Sequence, residues 1–224
     1  MIVLPRRVAA VVFDMDGLLI DTEIVYRTAI MEAAAERGID LPLWLFNKMI
    51  GAPITQNTQL MLDHYGADFD VEGLFEESGR RFHEVIHLED RLKVGVRELL
   101  EFLEREQIPR AIATSSPHEA VERHLRPNGI LDRFQAMVAR GDYVNGKPAP
   151  DPFLAAAKAL GVAAEDCLAL EDSHNGIRAA HAAGMMAVMV PDLLEATDEM
   201  RELAVHIAQT LHEVHDILAR QRAG

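Results

Sequence analysis

Residues 11–23 read VVFDMDGLLIDTE. An apolar run suited to a buried strand ends in Asp14 and Asp16, one residue apart, and Asp21 and Glu23 follow closely. Carboxylates this close raise each other's cost of ionisation unless a positive charge offsets it. The ends of other β-branched or apolar runs supply further polar groups. Thr114, Ser115 and Ser116 close one such run, Lys147 follows another in NGKPAPDPF, and Glu171 and Asp172 close a third. Two acid pairs on one rim suggest a hard divalent cation such as Mg²⁺, which takes carboxylates, water and phosphate oxygens. A lysine, a hydroxyl and adjacent backbone N–H groups can hold the remaining oxygens of a phosphate. The chemistry that unites these groups is phosphoryl transfer, which depends on positioning and charge neutralisation. In that scheme Asp14 is the nucleophile. Asp16 protonates the leaving oxygen and then deprotonates the attacking water. Gly17 lets the chain turn tightly beside the phosphate.

The elements that must position these groups alternate along the chain. Strand candidates lie at residues 8–13, 108–114, 134–139, 167–170, 187–190 and 204–208. Helices are expected between them at 95–106, 117–125, 151–160 and 175–183, on apolar spacing, proline at the first turn and terminating glycines. This alternation implies βαβ units and a doubly wound, Rossmann-like parallel sheet, an α/β fold. Ligands of such sheets bind at the carboxyl ends of the strands. The interval after the first strand differs, because 22–37, 43–50, 55–65 and 71–88 all read as helices. It is expected to be a small helical cap domain, 20–92, inserted into a core made of 1–19 and 93–224. Its hinges are expected at 19–22 and 89–95, and it would sit over the catalytic edge as a lid. Asp21, Thr22 and Glu23 would then form the hinge and first turn of the cap.

Composition narrows the partners. A formal net charge of −14 over 224 residues disfavours nucleic acid and anionic membranes. No run approaches the ~20 apolar residues of a membrane-spanning helix, and no secretory signal is evident. The expected location is the cytoplasm, and the expected state a monomer or weak homodimer. The single cysteine, Cys167, excludes a disulfide within the chain. It sits in an apolar run and reads as a buried structural thiol.

Four motifs in order, DMDGLLIDTE, ATSS, GKPAPDPF and LEDSHNG, resemble those of the haloacid dehalogenase-like hydrolases. Within them the closest likeness is to the phosphatases and mutases with a small helical cap after the first strand. The resemblance spans nearly the whole chain. It implies that Asp14 is the nucleophile and a metal ligand, and that Asp16 is the acid/base with its main-chain oxygen on the metal. It implies that Thr114 and the backbone around Ser115 hold phosphate, and that Lys147 neutralises phosphate and Asp14. Asp172 would bind Mg²⁺, with Glu171 beside it directly or through water. The second aspartate of the first motif, absent from members that cleave carbon–halogen bonds, favours phosphate chemistry.

The expected activity is hydrolysis of a small phosphomonoester, a sugar phosphate or related metabolite. The hexose-phosphate mutases of the β-phosphoglucomutase kind share all four core motifs. Their cap histidine and phosphate-gripping arginine align with Tyr26 and Ile54 here, which counts against a mutase. A phospho-accepting receiver is a third reading, but receivers are shorter and lack a helical insertion. Glu23 and Tyr26 are candidates to face the cleft from the first cap helix. His118 is a candidate substrate contact or a surface position, and His174 reads as a loop histidine rather than a metal ligand.

Overall fold

The structure, a computed structural model, describes residues 4–86 and 91–223. Strand β1 (Ala10–Phe13) opens the chain's order. Four helices follow it: α1 (Thr22–Glu36), α2 (Leu43–Met49), α3 (Ile54–Tyr65) and α4 (Val71–Val85). The alternating part resumes with α5 (Val96–Arg105), β2 (Arg110–Pro117), α6 (His118–Leu125) and β3 (Ala136–Arg140). It continues with α7 (Asp151–Leu160), β4 (Cys167–Glu171), α8 (His174–Ala182), β5 (Met186–Met189), α9 (Asp198–Leu203), β6 (His206–Ile207) and α10 (Leu211–Ala223). Leu88, where the sequence extended α4, and the hinge residues 89–90 lie outside the described residues.

The strands form one six-stranded sheet in the order β3-β2-β1-β4-β5-β6, with parallel pairing throughout. The order reverses at β1, whose neighbours are β2 on one side and β4 on the other. That is the switch point at which doubly wound sheets leave a crevice for ligands.

The period of two along each strand sorts side chains onto two faces. Val11 and Phe13 pack with Leu99, Leu103, Val121 and Leu218, under α5, α6 and α10. Ala10 and Val12 pack with Phe153, Ala156, Ile177 and Met200, under α7, α8 and α9. Both faces of β1 are therefore covered, which is why its sequence is a continuous apolar run rather than an alternation.

The chain divides into two compact units. One runs up to Ile20 and resumes at Leu92; the other is 21–91. Ile20 and Leu92 fall with the α/β unit because they pair with each other as an isolated antiparallel bridge. In the helical unit, α1 and α4 pack together, and Tyr26 meets Phe82 edge-on with ring centroids 6.0 Å apart.

Two strands depart from the sequence reading. β2 runs on through Ser115, Ser116 and Pro117, where a helix start was expected. Its register against β3 is irregular between Ala113 and Pro117, so the proline that cannot donate to a ladder sits at the frayed end. β6 is reduced to His206–Ile207, because Ala204 instead closes α9. Among the described residues no helix is long and apolar enough to cross a membrane.

Candidate active site

The β1–β4 register sets the first two groups of the site. Phe13 lies opposite Leu170, and the Asp14 N–H donates to the Leu170 carbonyl at 2.9 Å. Asp14 and Glu171 therefore follow side by side. Both share parity with the face covered by α7 and α8, since Asp14 follows Val12 by two and Glu171 follows Ala169 by two. Lys147, in the loop before α7, reaches this point from the same face.

Lys147 Nζ donates to Asp14 Oδ1 at 2.5 Å, to Glu171 Oε1 at 2.6 Å and to the Ala113 carbonyl at 2.9 Å. It also stands 4.9 Å from the ring centroid of Phe153 on α7, an approach that favours a cation. All three ionisable groups are buried. Burial alone would push the lysine down, yet the charges of Asp14 and Glu171 hold it well above the usual lysine range. One ammonium thus faces two buried carboxylates, with Asp16 nearby, and the deficit falls on Asp14. Burial pushes the Asp14 carboxyl up to about 8, with Lys147 pulling against it and the charges of Glu171 and Asp16 adding to it.

Asp16 is only half-buried. Its Oδ2 accepts from Ser116 Oγ at 2.7 Å and sits 3.5 Å from Thr114 Oγ1. Thr114 Oγ1 in turn accepts from the Ser116 N–H at 3.0 Å, and the Tyr143 hydroxyl donates to the Thr114 carbonyl at 3.1 Å. Thr114 is buried and Ser115 exposed. Gly17 has φ of 79°, the left-handed region, and its N–H donates to the Ile20 carbonyl at 2.9 Å. The tight turn after Asp16 requires this conformation.

The core side chains expected from sequence thus meet at the switch point: Asp14, Asp16, Thr114 and Lys147, with Glu171 and Asp172 at the end of β4. Glu171, expected beside a metal directly or through water, has both carboxylate oxygens in protein hydrogen bonds. Its Oε1 is engaged by Lys147, and its Oε2 accepts from Ser173 N at 3.0 Å and Ser173 Oγ at 2.9 Å. The physical reason is parity, which turns it under α8 and onto the lysine. Glu23 belongs to the helical unit, where burial first and the Glu23 charge second raise the Tyr26 phenol to about 12. Ser116, one of the hydroxyls that close the β2 run in the sequence, is the one that reaches Asp16 at 2.7 Å. The i, i+2 spacing from Thr114 is the signal that puts both hydroxyls on one side of an extended chain.

His118 Nε2 pairs with Asp142 Oδ2 at 2.8 Å. His174 Nε2 is bonded to the Glu195 carbonyl at 2.8 Å, which ties α8 to the segment before α9. Cys167 is buried, and burial with the Asp166 charge pushes its thiol up to about 11, far from a reactive thiolate.

A family model for the haloacid dehalogenase-like hydrolases matches residues 8–184. The chain belongs to this family. A protein named "Probable pseudouridine-5'-phosphatase" from Drosophila melanogaster is 34% identical over 222 residues, 96% of this chain and 94% of its own length. The phosphorylated carbohydrates phosphatase of Thermotoga maritima is 35% identical over 181 residues, 79% of this chain and 82% of its own. The structure of CbbY from Rhodobacter sphaeroides in complex with xylulose 1,5-bisphosphate superposes with a TM-score of 0.76 at 26% identity. It covers 92% of this chain and 96% of that one.

Haloacid dehalogenase-like hydrolases generally use Mg²⁺. Among the described residues of this hydrolase no group of three or more His, Cys, Asp or Glu side chains is gathered as a cage. Mg²⁺ does not call for one: it is commonly held by one or two carboxylates, with water and substrate phosphate completing the shell. The donor set at the switch point is all oxygen, and the buried charge is one cation short. Both features fit a hard divalent ion.

Proposed function

We propose that this hydrolase is a Mg²⁺-dependent phosphatase acting on small phosphomonoesters of the sugar-phosphate class. The observation that carries the reading is Lys147 Nζ on Asp14 Oδ1, with Asp16 two residues on held by Ser116. The phosphatase names of the relatives and the sugar bisphosphate in the CbbY structure support the same substrate class.

Asp14, the main-chain oxygen of Asp16 and the Asp172 carboxylate would hold Mg²⁺. When bound, the ion supplies positive charge to the phosphate and to Asp14. Lys147 keeps Asp14 oriented and neutralises charge on the phosphoryl oxygens. Thr114 and the N–H groups around Ser115 hold the phosphate. An Asp14 oxygen attacks phosphorus and the bond to the ester oxygen breaks, while protonated Asp16 gives its proton to that leaving oxygen. The product of this half is an aspartyl phosphate. Asp16, now ionised, takes a proton from a water molecule. That water attacks phosphorus, the bond to Asp14 breaks, and inorganic phosphate leaves with Asp14 restored. Ser116 positions Asp16 for both transfers. The 21–91 unit is assigned as the helical cap domain, and Glu23 stays a candidate substrate contact.

The test is direct. Purified protein with Mg²⁺ should release phosphate from p-nitrophenyl phosphate, and Asp14→Asn should abolish release. Activity that survives this substitution overturns the nucleophile. A panel of phosphorylated sugars and nucleosides should show phosphate release. Conversion of glucose 1-phosphate to glucose 6-phosphate without release would instead make the enzyme a mutase.

A further inference from the structure

Glu171 is the deepest charged side chain of the site, with no exposed surface. Its carboxylate is gripped from two sides. Lys147 takes Oε1, while the N–H and hydroxyl of Ser173 at the start of α8 take Oε2. Ser173 is itself fixed, because its Oγ accepts from the Gly176 N–H at 3.1 Å. A carboxylate here also gains from the positive end of α8.

Gly176 has a second relation to Glu171. A Cβ at position 176 would lie 1.8 Å from Glu171 Cδ, 1.8 Å from Oε1 and 2.1 Å from Oε2. It would occupy the place of the whole carboxylate. No main-chain atom stands among these contacts, so the obstacle is the far end of one side chain. A methyl group can therefore be admitted with the fold kept, provided Glu171 swings away. That movement releases Lys147 from one of its three anchors.

We propose that Gly176 is a positioning residue for phosphoryl transfer: it leaves the space in which Glu171 seats Lys147 against Asp14. Gly176 touches no substrate; it acts through Glu171, and Glu171 through the lysine. Ser173 completes the seat by holding the carboxylate from the helix side. The proposal rests on the phosphatase reading above, because Lys147 matters only if it serves the transferred phosphate.

The test is a double-substitution cycle with p-nitrophenyl phosphate and Mg²⁺, reading kcat, KM and Tm for Gly176→Ala, Glu171→Ala and the pair. Gly176→Ala should lower kcat by about 100-fold, the scale of a 1 Å misplacement, while KM stays near the wild-type value. Glu171→Ala should fall by a similar factor. The pair should be no worse than Glu171→Ala alone, within about twofold, because the obstructing carboxylate is gone. A pair that loses the product of the two factors would overturn the proposal, as would Gly176→Ala retaining wild-type kcat. If Gly176→Ala fails to fold, the pair decides. A folded pair matching Glu171→Ala supports the seat, and an unfolded pair makes the glycine a fold requirement and sinks it. Wild-type protein without phosphatase activity would sink the functional reading instead, a separate outcome.

Discussion

Helices α4 and α8 begin alike. In α4 the Asp70 side chain accepts from the Gly73 N–H, and in α8 the Ser173 side chain accepts from the Gly176 N–H. In both, a carboxylate occupies the space a methyl group on that glycine would take: Asp70 Oδ2 at 2.1 Å in one and Glu171 in the other. The difference lies in what surrounds the carboxylate. Asp70 caps the helix itself, pairs with Arg37 at 3.2 Å, and keeps 69% of its side chain in solvent. Glu171 leaves capping to Ser173, is wholly enclosed, and faces a lysine. In water the arrangement is a modest helix cap, worth about 1 kcal/mol. In a dry interior the same geometry fixes a charge, because ion pairs there are screened far less. Local sequence makes the device, and burial decides its work.

The largest effect should come from breaking the enclosed side of the pair. Lys147→Met should lower kcat by about 10³-fold, as loss of a preorganised charge does. It should also cost roughly 3 kcal/mol in stability, because two buried carboxylates lose their cation. Steady-state kinetics and chemical denaturation measure the two effects. On the exposed side, Asp70→Ala should lower stability by about 1 kcal/mol and leave kcat unchanged. Gly73→Ala should be smaller still, within about 1 kcal/mol of wild type. The displaced Asp70 end swings into solvent, and alanine's helix preference offsets the lost cap. A fall in kcat for Gly73→Ala comparable to that of Gly176→Ala would erase the distinction between the two helix starts.

The smallest effect concerns pH. Hydrogen bonds from Arg80 and then Arg81 hold the Glu77 carboxyl down to about 2. Its folded value lies below its ordinary value of 4.5. Its contribution is therefore complete above pH 4.5 and is lost as pH falls from there through 2. Glu77 sits at the surface with 28% of its side chain in solvent, so the contribution is small. Thermal unfolding of wild type and Glu77→Gln should differ slightly at pH 6 and converge near pH 2.

Much of the fold is legible because its signals are local. Val11, Val12 and Phe13 read as a buried strand, and Asp151-Pro152 and Gly161 bracket α7 as proline and glycine rules expect. The four helices of 21–91 stand out through the absence of β-branched runs. The end of β2 is not legible, because Ser115, Ser116 and Pro117 carry a helix-start composition, while the strand extends past its pairing with β1 and tolerates a proline there. That Asp14 and Lys147 come together is legible from their motifs. The work of Glu171 is not, because adjacent acids look equivalent in sequence. Only strand parity and the space above Gly176 show which one turns to the lysine.

The route into the helical unit has a further consequence. The chain leaves and returns through two antiparallel segments: Asp21 N–H donates to Arg91 O at 2.8 Å, Lys93 N–H donates to Leu19 O at 3.0 Å, and Ile20 bridges Leu92. The two ends of a seventy-one-residue insertion, 21–91, are thus already closed on each other by main-chain bonds. Main-chain bonds do not depend on side-chain identity, so this junction works as an exchangeable socket. A different insert spliced between Ile20 and Leu92 would keep the Leu19–Lys93 bond and the Ile20–Leu92 bridge, and its loop-closure cost would change by only about 0.6 kcal/mol per doubling of its length.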